Sequence, residues 1–223
     1  MRFETGRMQE TTTENVSLSL CTSPGGCTGT CAQCRTRALS VCGVLESGEL
    51  AEFETLLEHI ELPQRSVLFL QGDAAGYVYT VTRGCVRLSK DLSDGRRQVV
   101  GFALPGDFLG LSLDKRFGFS ADALDSVTLC RFERKDFTGF LEHKPQMMRR
   151  MHEFAAHELT IAQDQMVLLG RRRAEERVAA FLLGWRDRLH KLTGADHTLS
   201  LPMTRQDIAD YLGLTIETVS RTL

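Results

Sequence analysis

The residues of this chain best equipped for chemistry are its thiols. Cys31-Ala32-Gln33-Cys34 is followed by Cys42, and Cys130 stands alone about ninety positions downstream. Two thiolates two residues apart can point at one soft metal centre. A third and a fourth cysteine complete a tetrahedral set, either four ligands to one zinc or one thiolate on each corner of an iron–sulfur cluster. The chain has 7 cysteines. Its N-terminus, Met1-Arg2-Phe3-Glu4-Thr5, lacks the apolar core of a secretory signal, so a cytoplasmic location is expected. Cysteines in that compartment point to metal or redox chemistry rather than structural disulfides. Cys21 and Cys27 lie in a polar arm and are read as bystanders, and Cys85 in an apolar strand as an inert core thiol.

Other chemistries find little support. His59, His143, His152, His157, His190 and His197 fall mostly on expected helices beside charged neighbours, and none forms a nucleophile–base pattern with Ser or Cys. No phosphate-binding loop or dinucleotide fingerprint occurs. An enzyme is not expected. A haem sensor is also disfavoured, because no histidine lies between His59 and His143 to serve as an axial ligand.

These thiols must be positioned by a chain of 223 residues, 42% hydrophobic and 25% charged, which suits one sizeable core or a core plus a small domain. No apolar run is long enough to span a membrane. The net charge of −2 does not advertise nucleic acid. The one basic cluster is Arg171-Arg172-Arg173 with Arg177, which reads equally well as the solvated start of a surface helix.

Residues 1–30 are polar and aperiodic, as in a flexible arm. Residues 31–45 form the cysteine loop. From Ser47 to His59, Leu50, Phe53, Leu56, Leu57 and Ile60 fall at helical spacing, with Ser47 as the expected N-cap. From about Pro63 to Phe137 the period becomes two, with glycine turns at Gly72-Asp73, Arg83-Gly84, Asp94-Gly95 and Gly106-Asp107. Short strands so punctuated indicate an antiparallel jelly roll, a sensor-like domain over 46–142, with its clearest hairpin at Asp94-Gly95.

Pro145 opens a long helix, assigned to 143–170. Met148, His152, Ala155, Leu159, Ala162, Met166 and Leu169 recur on it in steps of four and three, a seam suited to a second copy of the chain. Residues 171–223 hold an amphipathic helix from Ala174 and then two short ones. Thr204 with Asp207 resembles a capping box, Gly213 suits a left-handed turn, and Thr215 can cap the next helix. Helix, glycine turn, helix is a helix-turn-helix, whose second helix enters the major groove of DNA.

From Cys31 onward the chain resembles the cyclic-AMP receptor/FNR superfamily of bacterial transcription factors, and within it the oxygen-sensing FNR branch. The most specific segments are Ala174-Glu175-Glu176-Arg177-Val178-Ala179-Ala180-Phe181, the run from Thr204 to Thr215, and Glu217-Thr218-Val219-Ser220-Arg221. The resemblance implies an α+β chain: a double-stranded β-helix sensor, a dimerisation helix and a C-terminal winged helix-turn-helix. It also implies that the recognition helix continues beyond Leu223 into a wing, which this sequence does not reach. Glu217, Ser220 and Arg221, with Thr215 at the helix start, would read a TTGAT-type half-site in double-stranded DNA. Arg suits guanine O6 and N7, and Glu suits a cytosine amine.

The same resemblance assigns Cys31, Cys34, Cys42 and Cys130 to an oxygen-labile [4Fe–4S] cluster, although the gap before Cys42 is wider than usual in the family. Zinc on the same four residues, or a cluster-free protein with reactive thiols, are the alternatives. Leu159, Ala162 and Met166 fall where dimerisation of the homodimer is tuned. Neutral Ala162 stands where an acidic residue is known, implying a dimer that depends less on the cluster. RNA polymerase is an implied partner, with the Asp94–Arg97 hairpin as candidate surface. Cyclic nucleotide is not expected. Phe119-Ser120-Ala121 and Gly110-Leu111 replace the Arg and Glu that hold phosphate and ribose in nucleotide-binding relatives, leaving a phosphodiester without its cation.

Overall fold

The computed structural model of the protein describes residues 19–20, 31–110, 114–194 and 199–223. Nine strands and six α-helices follow in order: β1 (Ser19–Leu20), α1 (Ser47–Glu54), β2 (Leu57–Leu62), β3 (Val67–Phe69), β4 (Tyr77–Arg83), β5 (Val86–Asp91), β6 (Arg97–Ala103), β7 (Phe108–Leu109), β8 (Ser120–Ala123), β9 (Val127–Glu133), α2 (Arg134–Glu142), α3 (Pro145–Arg171), α4 (Ala174–Thr193), α5 (Arg205–Leu212) and α6 (Ile216–Thr222). The cysteine loop is three short 3-10 turns, Cys31–Gln33, Arg37–Leu39 and Val41–Val44.

The strands form two antiparallel sheets, ordered β1-β2-β9-β4-β7 and β3-β8-β5-β6. Alternation explains the sandwich: Ile60, Leu62, Val81, Val86, Ala121, Val127 and Leu129 point inward and are almost fully buried. Phe69 stacks on Phe117 at 3.7 Å between ring centroids, and Tyr79 and Phe119 crowd the same ring. The jelly roll expected over 46–142 is therefore present, with the β5–β6 hairpin closing at Asp94-Gly95 through Leu92 N–H to the Arg96 carbonyl, 2.8 Å.

Four expectations change. The helix assigned to Ser47–His59 ends at Glu54, and Leu57–Leu62 is a strand lying antiparallel to β9. The cap of that helix is Glu46 rather than Ser47, with the Glu46 N–H donating to Glu49 Oε2 at 3.1 Å. The alternating stretch thus begins at Leu57 and stops at Glu133, and Phe137 belongs to α2. The arm assignment fails at residues 19–20, whose backbone pairs with Ile60 and Glu61; the rest of 1–30 lies outside the described residues.

α3 runs 27 residues, and Pro at its first turn suits a position that needs no N–H donor. Among the described residues no helix is long and apolar enough to cross a membrane. α4, α5 and α6 share a core of Val178, Phe181, Trp185, Ile208, Leu212 and Val219 that continues into Val99, Phe102 and Leu104 of the roll. The helix-turn-helix is thereby packed directly onto the sensor sandwich.

Candidate functional site

The cysteine loop packs where β9 emerges from the roll. β9 pairs with β2 on one side and β4 on the other, and its two faces are buried differently. Val127 and Leu129 enter the sandwich, while Cys130 and Phe132 face a separate cluster with Cys31, Val41, Leu45, Phe53, Phe137, Phe140 and Met147. Cys42, Met151 and Phe154 pack against that cluster from its edge. Three of the four expected ligands thus pack into one apolar cluster at the root of α3, without converging on a common centre among the described residues. Cys34 is half-exposed, its Sγ 3.2 Å from Thr36 Oγ1.

Local packing fixes the loop. Gly106, with φ +100°, presses so closely on it that a Cβ there would stand 2.9 Å from Leu39 Cβ. Arg37 Nη2 donates to the Leu45 carbonyl at 2.7 Å. Cys42 Sγ lies 3.0 Å from Ser40 Oγ. Burial raises the thiol pKa of Cys31 to about 12, and burial likewise raises that of Cys42. Among the described residues no three His, Cys, Asp or Glu side chains are grouped as around a metal ion. Four thiolates on one zinc would stand roughly 3.8 Å apart at a Zn–S distance of roughly 2.3 Å, so a compact zinc site is not preformed. Thiolates are the donors an iron–sulfur cluster takes; here Cys31 and Cys130 are buried in one apolar cluster, Cys42 packs at its edge, and Cys34 lies half-exposed in the same loop.

One neighbour escaped the sequence reading. His59 lies on β2, within the roll, directly across from Cys130, with Nδ1 3.8 Å from Sγ; burial lowers its pKa. The run of alternating residues that would have shown this begins at Leu57, inside the stretch taken for helix. Cys85 lies in the turn before β5 rather than within a strand; it is buried, its pKa raised to about 12 by that burial, as an inert thiol should be.

At the other end, Thr215 caps α6, its Oγ1 accepting from the Thr218 N–H at 3.3 Å. Gly213, at φ +60°, makes the turn between α5 and α6. Val219 is buried, and Glu217, Ser220 and Arg221 stand exposed on the opposite face of α6. A helix with a buried anchor behind and three adjacent polar side chains in front can enter a DNA groove.

A structural family of cyclic nucleotide-binding domains matches residues 59–144, and the family of bacterial regulatory proteins of the crp type matches residues 201–223. The transcriptional activatory protein AadR of Rhodopseudomonas palustris is 56% identical over 189 residues, covering 85% of this chain and 79% of AadR. The chain belongs to the cyclic-AMP receptor/FNR superfamily of transcription regulators. Other members include the nitrogen fixation regulation protein FixK of Bradyrhizobium diazoefficiens, 55% identical over 86% of this chain and 81% of that one. The transcriptional activator FnrL of Cereibacter sphaeroides is 36% identical over 86% and 79%. Among solved structures, FixK2 from Bradyrhizobium japonicum superposes with a TM-score of 0.69 at 38% identity, covering 74% of this chain and 82% of that one. As a member of this superfamily the protein is a DNA-binding transcription regulator, not an enzyme, and regulators of this family act as dimers.

The family's dimer needs a surface. Leu159 and Met166 are 59% and 64% exposed on α3, with Val167 beside them, and Ala162 is exposed on the same face. The junction between sensor and helix-turn-helix is polar as well as apolar. Asp207 of α5, 2% exposed, accepts from Arg87 of β5 and from Arg97 of β6, the latter at 2.9 Å. Arg97 Nη2 also donates to Asp210 at 2.6 Å, and Arg87 grips Asp122 through two hydrogen bonds. Arg97, assigned above to a polymerase-facing hairpin, is instead directed at α5; the hairpin tip keeps Arg96 and Asp94 exposed and paired. Arg177, counted above in a basic cluster, donates to the carbonyls of Leu212 and Leu169 at 2.9 and 2.7 Å and so caps two helices.

Proposed function

We propose that the protein is an oxygen-responsive regulator in which Cys31, Cys34, Cys42 and Cys130 hold a [4Fe–4S] cluster that governs dimerisation and binding to TTGAT-type palindromes. The observation that carries this reading is the packing of buried Cys31 and Cys130 and half-buried Cys42 in one cluster with Met147, Met151 and Phe154, the first turns of the dimerisation helix. When bound, the cluster supplies a centre that oxygen degrades. The protein's part is mechanical: ligation ties the loop of residues 31–45 to β9 and braces α3 through Met147 and Met151. That favours one orientation of the Leu159–Met166 face toward a second copy. Two copies present two α6 helices, each with Glu217, Ser220 and Arg221 outward, about one helical turn of DNA apart.

Cyclic nucleotide has no place in this reading. Phe69, Phe117, Phe119 and Tyr79 fill the interior of the roll, and Ser120 Oγ accepts from the Gln71 N–H at 2.9 Å rather than facing a ligand. RNA polymerase remains a partner, through surfaces that include the exposed Asp94–Arg96 tip. A cluster-free regulator is the second reading, favoured by the lack of three converging ligands among the described residues.

The two part on one experiment: purification without oxygen, assays of iron, sulfide and zinc, and spectra before and after air. Stoichiometric iron and sulfide with an absorbance bleached by air supports the cluster. Zinc alone, or no metal, rejects it. On DNA, Arg221→Ala should relax half-site discrimination by about 1–3 kcal/mol at fixed salt.

A further inference from the structure

A cavity of about 300 Å³ lies where Leu39 of the cysteine loop, the Leu104–Asp107 turn, α3 and the last turns of α4 meet. It is separate from the roll interior, where nucleotide-binding relatives hold their ligand. α3 contributes Arg150, Phe154 and His157 to it. At 100° per residue these point away from Leu159 and Met166, so pairing through that seam leaves the cavity open.

Its lining is amphipathic. Leu39, Leu104, Phe154 and Leu192 supply apolar wall. The charged side chains are Arg150, Arg188 and Lys191 against Asp107 and Glu153, three cations to two anions. Asp107 is taken by Arg188 at 2.5 Å, and Glu153 by Arg150 Nη1 at 3.2 Å. Among the described residues Lys191 pairs with no carboxylate, while Arg150 and Arg188 each hold one. The surplus of one positive charge beside apolar wall matches a monoanion with a hydrophobic body.

We propose that this cavity binds a small monocarboxylate with an apolar body, its carboxylate held by Arg150 and Lys191 and its body against Leu39 and Phe154. Such a ligand touches sensor turn, cysteine loop, dimerisation helix and DNA-binding domain at once, so it stabilises the arrangement that brings them together.

The test is calorimetric titration with hexanoate and cyclohexanecarboxylate, with hexanamide and acetate as controls for charge and for apolar body. It is run on the air-exposed, metal-free full chain, so failure of the cluster reading leaves it intact. Saturable binding of both carboxylates is expected, weaker by at least roughly tenfold for each control. Arg150→Gln and Lys191→Glu should each weaken it by roughly tenfold while the unfolding midpoint stays within about 2 °C. Lys191 is exposed, so its variant decides if Arg150→Gln does not fold. No saturable heat with either carboxylate, equal binding of hexanamide, or affinity unchanged in the Lys191 variant would overturn the proposal.

Discussion

Arg97 of the sensor roll and Asp207 of the helix-turn-helix meet at 2.9 Å, 110 residues apart in sequence. Asp207 has a second task at the same moment: its Oδ2 accepts from the Thr204 N–H and hydroxyl at 2.9 and 2.7 Å, closing the capping box of α5. One buried carboxylate therefore both starts the first helix of the DNA-binding unit and fastens that helix to the sensor. The apolar contact of Phe102 with Trp185 and Tyr211 alongside gives the junction its area, and the charges give it register.

Removing that carboxylate tests the arrangement. Asp207→Ala deletes a cap and leaves Arg87 and Arg97 facing a gap. Fully buried pairs broken this way lose about 3–5 kcal/mol, but both arginines keep some solvent access, so about 2–3 kcal/mol is expected. Asp210→Ala, which removes one partner of Arg97 and no cap, should lose only about 1 kcal/mol. Urea unfolding of both variants measures the difference, and equal losses would show that the cap and the Arg87 contact contribute nothing.

This junction was invisible in the sequence, and the reason is physical. Arg87, Arg97, Asp207 and Asp210 look like solvated surface charges until the roll brings positions over a hundred residues apart together. The helix-turn-helix was legible because its determinants are local: Thr204 with Asp207, Gly213 and Thr215 each act within four residues. The boundary between α1 and β2 was not, because Leu50, Phe53, Leu57 and Ile60 fit a helical period while pairing with β9 decides that Leu57–Leu62 is extended. With it went His59, the neighbour of Cys130. The spacing of the four cysteines is a pattern of the sequence itself, and the structure adds that Cys31 and Cys130 share one buried cluster beside α3 with Cys42 at its edge.

The same carboxylate predicts a pH response. Burial opposes ionisation of Asp207, but the Thr204 hydrogen bonds and the Arg87 charge outweigh it and hold its pKa below the usual value of 3.8. A carboxylate depressed on folding favours the folded state above its unfolded pKa, and that contribution disappears as pH falls through the folded value. Stability should therefore drop below about pH 4 more steeply in the wild type than in Asp207→Asn, which cannot titrate there. Thermal unfolding between pH 3 and 6 reads the two slopes, and parallel curves would remove Asp207 as a contributor.

The exposed face of α3 makes a prediction about assembly. Leu159 and Met166 are apolar side chains more than half exposed in the single chain. If a second copy covers them, Leu159→Glu places like charges at the seam and buries them against apolar neighbours. The dimer dissociation constant should rise by more than about tenfold, roughly 1.4 kcal/mol, with little change in monomer stability. Sedimentation equilibrium separates these effects. An unchanged dimer would place the interface elsewhere.

Gly106 offers the most direct way to disturb the cysteine loop without touching a cysteine. Its φ of +100° disfavours any side chain, and a Cβ would stand 2.9 Å from Leu39 Cβ and 3.3 Å from the Leu39 carbonyl oxygen. Gly95 has a similar φ of +82° but nothing within 4 Å of its added Cβ, so it isolates the backbone strain. Gly95→Ala should lose about 1 kcal/mol from strain alone. Gly106→Ala should lose that amount and about 1–3 kcal/mol more, because Leu39 must move and the turn Arg37–Leu39 moves with it. Displacing that turn also shifts Cys34 and Cys42, which flank it. On the proposed cluster reading, Gly106→Ala purified without oxygen should then retain less iron and sulfide than Gly95→Ala, beyond any difference in stability. Equal retention by the two variants would show that the packing of Leu39 on Gly106 does not position the thiols.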